Sequence, residues 1–90
     1  MARMGMDVDE VERAGRDLKG LANDLRGLMS RIDGVVNNLP SIWEGKDAND
    51  FVQDWWPGHK RNLDQVIGSI DGLGQSALNN ASEQRNVSGH

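Results

Sequence analysis

The chain has no cysteine and no tyrosine, one phenylalanine, two prolines, and ten lysines and arginines among its 90 residues. Each shortage removes a class of protein. Without cysteine there are no disulfides, thiolate zinc sites or catalytic thiols. Ten scattered basic residues against fourteen acidic ones, a formal net charge of −4, cannot build the concentrated basic surface that nucleic acid demands. No apolar run is long enough to span a membrane, so membrane contact is not expected. Met1–Glu10 carries one arginine but no apolar stretch of the kind a cleavable leader needs, and any export is expected to proceed without one. A single small domain buries little surface and leans on staples or on a partner. With disulfides excluded, oligomerisation is the support that remains.

What the sequence does contain is helical periodicity. Val8, Val11, Gly15, Leu18, Ala22, Leu25, Met29, Ile32, Val36 and Leu39 follow one another at alternating spacings of three and four, a heptad seam. Leu21, Leu28 and Val35 widen it into a face suited to two neighbouring helices, as in a four-helix bundle. Asp7, Asp9, Glu10 and Glu12 complement the positive end of the helix dipole, and the pairs Asp9–Arg13 and Glu12–Arg16 stand four apart in the favourable order. Helix 1 is expected over about 7–39, because Pro40 biases Leu39 away from the helical region. Gly20, Gly27 and Gly34 open three consecutive heptads on the side away from the seam. They are either tolerated surface drift or a strip bare of side chains that a second chain approaches closely.

A turn over about 40–46 follows, with Trp43 as an apolar anchor and Gly45 as the residue free to take an unusual backbone conformation. Asp47 is a good N-cap for helix 2, expected over about 47–82. Ala48, Phe51, Val52, Trp55 and His59 form its first apolar segment; Leu63, Val66, Ile67, Ile70, Leu73, Ala77, Leu78 and Ala81 form its second. The two are out of step by a stutter at His59–Leu63. Pro57 falls at the same place, so a kink or short break is expected near Gln53–Gly58. In this register Trp55 faces the core or a partner and Trp56 is exposed. Residues 83–90 have no periodicity and read as a flexible tail. The two helical halves are of matched length, which favours an antiparallel hairpin.

No nucleophile stands with a positioned base, so an enzyme is not expected. Asp47, Asp50 and Asp54 share a helix face, but capping and solvation explain them better than a cation site. His59 on the apolar side reads as a packed or interface histidine. No cofactor or metal is implied.

The tripeptide Trp43-Glu44-Gly45 between two helical halves, followed by Ala48, Phe51 and Trp55 and by Asn80-Ala81-Ser82-Glu83-Gln84, resembles the WXG family of early-secreted-antigen-like proteins of type VII (ESX-like) secretion, in its actinobacterial form. The resemblance spans nearly the whole chain. It implies an all-α antiparallel two-helix hairpin that pairs, as homodimer or heterodimer, into a four-helix bundle, is secreted without a cleavable leader, and is recognised by the secretion ATPase. Trp43, Glu44 and Gly45 would form the recognition turn. Leu18, Leu21, Leu25, Leu28, Ile32, Val36, Phe51, Trp55, Leu63, Val66, Ile70 and Leu73 would form the core and dimer seam. Family members that carry the export signal have a tyrosine four residues before an acid near the end of helix 2; here Asn79 stands four before Glu83. Either a partner supplies the signal or the tail diverges. Two other functions fit the composition: a cytoplasmic helical-bundle adaptor without a link to secretion, and a membrane-active bundle.

Overall fold

The computed structural model describes residues 6–88, and all of its regular structure is helical. Helix α1 spans Val8–Ile42, a short α2 spans Lys46–Asp50, a π-helical segment spans Phe51–Trp55, and α3 spans Trp56–Ser88. The architecture is a helical hairpin. It divides into two compact units: a corner unit, Asp24–Ile67, and a terminal unit in which residues 8–23 of α1 run antiparallel to residues 68–88 of α3.

In the terminal unit the helices meet through glycine. A Cβ built on Gly15 would lie 2.9 Å from the Gly74 carbonyl oxygen, and one on Gly74 would lie 2.8 Å from the Gly15 oxygen. Backbone faces backbone there, an approach that only the absence of a side chain allows. Ala22 and Ala81 are the other buried positions. Charge fastens the margins: Lys19 pairs with Asp71 at 3.3 Å, and Arg85 reaches Glu12 at 2.8 Å and Asp9 at 2.7 Å. Arg85 therefore takes the partner expected for Arg13, which instead pairs with Glu10, while Glu12–Arg16 forms as the spacing suggested. Asp7 caps α1, its carboxylate accepting the Glu10 backbone N–H at 3.1 Å.

Residues 83–88, expected in a flexible tail, continue α3 to Ser88. The link from Arg85 to the start of α1 supplies the tertiary contact that an aperiodic stretch does not announce. Residues 89 and 90 of that expected tail lie outside the described residues.

The corner unit departs further from expectation. Helix α1 does not stop before Pro40 but runs through it to Ile42. Pro40 removes a single intrahelical bond; the Trp43 N–H still reaches the Leu39 carbonyl at 2.8 Å, and the Ser41 hydroxyl donates to the Asn38 carbonyl at 2.7 Å. Gly45 precedes α2 with φ 165° and ψ 155°, an extended backbone open to any residue, so no left-handed turn requires it. Asp47 lies inside α2 and makes no side-chain cap. Where a kink or break was expected over Gln53–Gly58, the chain widens into the π segment and passes directly into α3. The widening precedes Pro57, which has no N–H to give the turn before it, and it adds one residue to that turn.

That extra residue resets the face of everything after it. Ala48 is buried, and in an uninterrupted α-helix the residue seven later, Trp55, would share its face; with one residue inserted, Trp56 takes that place. Trp56 is 8% exposed and Trp55 is 61% exposed. The sequence-based assignment of the two tryptophans is thus reversed. From Trp56 one unbroken heptad row, 56, 60, 63, 67, 70, 74, 77, 81, is buried or part-buried except at Leu63, and the stutter inferred at His59–Leu63 is the insertion, displaced by a few residues.

The glycines separate into two kinds with opposite consequences. A Cβ on Gly20, Gly27 or Gly34 would meet nothing within 4 Å, so replacing all three with alanine should stabilise the protein by roughly 1 kcal/mol per site in urea denaturation. Gly15→Ala or Gly74→Ala should instead lower the denaturation midpoint, because the helices must part; an unchanged midpoint would contradict the close crossing.

Candidate protein-interaction surface

The corner unit is organised by one polar contact. Asp33, on the inner side of α1, accepts the Trp56 indole N–H at 2.7 Å and the Lys60 ammonium at 3.3 Å. Phe51 stacks on Trp56 with ring centroids 6.4 Å apart and planes 21° from parallel. The indole therefore buries its apolar body and satisfies its only donor. The hydrogen bond from Trp56, with help from Lys60 and against partial desolvation, holds the Asp33 carboxyl below its usual value of 3.8.

Around this contact the large apolar side chains point outwards. Leu25, Leu28, Met29 and Ile32 of α1 and Leu63, Val66 and Ile67 of α3 line a groove of about 190 Å³. Leu28 is 47% exposed, and Leu25, Ile32, Leu63 and Val66 are exposed as well. Beside the groove, Leu28, Ile32, Val35 and Val36 form an apolar shelf edged by Arg31. In the terminal unit Leu21 and Leu73 are also exposed, while Leu18 and Ile70 are partly covered.

The twelve residues expected along the seam thus fall into different roles. Val36 is buried, Leu18 and Ile70 are intermediate, and the others, Phe51 and Trp55 included, are exposed. The buried positions are mostly small: Gly15, Ala22, Ala48, Gly74 and Ala81 join Val36, Ile67 and Trp56, and among the described residues no large side chain is fully enclosed. Asp33, Lys60, Arg85 and the Gly15–Gly74 crossing were absent from the sequence reading. An acid set in the apolar run of helix 1 was the available sign of Asp33.

The link Trp43-Glu44-Gly45 joins α1 to α2 with all three residues exposed, Trp43 by 53%. Trp43 is therefore no anchor of the corner; Trp56 and Ala48 do that work from inside. Its indole leans over Gly45, where a Cβ would stand 3.7 Å from Nε1, an ordinary contact. Asn79 accepts a hydrogen bond from Gln75 at 3.0 Å, and both it and Glu83 are exposed on α3. His59 is exposed against Trp55, with ring centroids 6.2 Å apart, rather than packed in a core.

Among the described residues no group of three His, Cys, Asp or Glu is placed to hold a metal ion, Asp47, Asp50 and Asp54 included. No described helix is long and apolar enough to cross a membrane.

Compared with known families, residues 3–86 match the WXG100 model, described as proteins of 100 residues with WXG. Neither the curated proteins nor the solved structures contain a significant match.

The reversed tryptophans give a direct test. Trp56→Ala should cost about 3–5 kcal/mol in denaturant unfolding, whereas Trp55→Ala should change stability by no more than about 0.5 kcal/mol. Since the Asp33 carboxyl is lowered in the folded state, its contribution is present above pH 3.8 and is lost as the pH falls through the folded value. Acid titration of helicity should show a loss in that range that Asp33→Asn diminishes.

Proposed function

Because the chain belongs to the WXG100 family, we propose that it is a non-enzymatic substrate or export adaptor of type VII secretion that acts by pairing, hairpin to hairpin, with a second copy or a relative to form a four-helix bundle. The observation that carries this reading is the corner-unit groove, lined wholly by apolar side chains and open to solvent in the single chain. Covering it gains roughly 2 kcal/mol for each leucine-sized side chain taken out of water. A hairpin whose buried positions are mostly small has little other means of stabilisation.

Trp43, Glu44 and Gly45, exposed on the link between helices, then serve as the recognition turn for the secretion ATPase. Asn79 and Glu83 mark the region where the rest of the signal would lie. The chain has no tyrosine, which favours a heterodimer whose partner supplies that element.

Leu28→Asp places a charge in the open groove without disturbing any buried side chain. Circular dichroism should show a helical chain, while native mass spectrometry, alone and with the product of the neighbouring gene, should show pairing reduced or lost; undiminished pairing would place the interface elsewhere. Trp43→Ala should leave pairing intact and lower export in a host with a functional export ATPase. Equal export with and without that ATPase would remove the secretion reading.

A further inference from the structure

The π segment turns a second surface outward, one that shares no residue with the apolar groove. Asp47, Asp50, Phe51 and Trp55 line a hollow of about 340 Å³. They fall on one face because the widened turn carries Trp55 away from the inward row, and π turns inside helices occur frequently at functional sites. From Glu44 to Trp55 the chain holds four carboxylates, Glu44, Asp47, Asp50 and Asp54, and one cation, Lys46.

Aromatic side chains exposed on a helix suit either a membrane interface or a protein partner, and the charge decides between them. Four carboxylates within twelve residues repel an anionic bilayer and attract a cation. The rim already takes one: the Lys46 ammonium sits 2.6 Å from Asp50. Asp47 has no ionic partner among the described residues, and the exposed Trp55 indole beside it offers a π face to a guanidinium.

We infer that this hollow docks a protein segment presenting arginine next to an apolar side chain, the apolar group against Phe51 and the guanidinium between Trp55 and Asp47. Arginine suits the site better than lysine because its planar head stacks on an indole and pairs with a carboxylate at once. The inference goes beyond pairing, and it concerns a face that pairing through the apolar groove leaves outside.

The test uses the full chain and labelled helical peptides with leucine and arginine four apart on one face, read by fluorescence anisotropy. Control peptides replace arginine with glutamine or glutamate. The arginine peptide should bind, weaken as salt rises, and lose about tenfold in affinity with Asp47→Asn and again with Trp55→Ala. The glutamate peptide should not bind. Absence of arginine-peptide binding, equal binding of the glutamine peptide, or unchanged affinity of both variants would overturn the inference. Binding of the chain to phosphatidylglycerol vesicles with loss on Trp55→Ala would overturn it in favour of a membrane. Loss of self-association in either variant by native mass spectrometry would overturn it in favour of a second copy. Leu28→Asp separates the two readings, since it removes pairing and leaves peptide binding unchanged.

Discussion

Two helices laid side by side can enclose only one stripe of side chains, and the rest of this structure follows from that limit. Close approach favours small groups, so Gly15 and Gly74 meet backbone to backbone and alanines occupy Ala22, Ala48 and Ala81. Beyond Ile67 and Trp56, most of the large apolar residues are left outside that stripe. They stand on the flanks, where Leu25, Leu28, Ile32, Leu63 and Val66 remain wet. The same geometry that makes the hairpin tight leaves an adhesive face. The largest buried side chain among the described residues, Trp56, is accommodated with a dedicated hydrogen bond to Asp33.

Electrostatics complement the thin seam at its edges. Lys19–Asp71 and the Arg85 contacts to Asp9 and Glu12 lie along the terminal unit, and Lys60–Asp33 lies within the corner unit. Exposed pairs of this kind contribute little individually. Their effect is on register, since each joins residues far apart in sequence and a slip of either helix would unmake it. Arg85 also explains why α3 persists to its recorded end without an apolar pattern.

Much of this was legible in the sequence. The alternating spacing from Val8 to Leu39 identified α1, and the tripeptide with its flanking helices identified the family. The inward face of α3 was harder to read, because Lys60 and Gly74 occupy heptad positions that an apolar count passes over. With those two restored, the row from Trp56 to Ala81 has no stutter. The π turn was misread for a related reason: a proline and a change of phase suggest a break, but widening the helix satisfies both without interrupting it. Helix ends were obscured where other bonds outweighed the signal in the sequence. Pro40 was overridden by bonds on either side of it, and the aperiodic stretch from Glu83 was kept in α3 by Arg85.

The π segment carries a consequence of a different kind. Which tryptophan faces inward depends on the pitch of the turn between Ala48 and Pro57. At unchanged length, closing the widened turn to ordinary pitch would exchange Trp55 for Trp56. Removing one residue between Phe51 and Trp55 would return the helix to its ordinary pitch and leave Trp56 seven positions after Ala48, still facing inward. In this part of the chain the widened turn absorbs one residue of length without turning the inward face of the helix that follows.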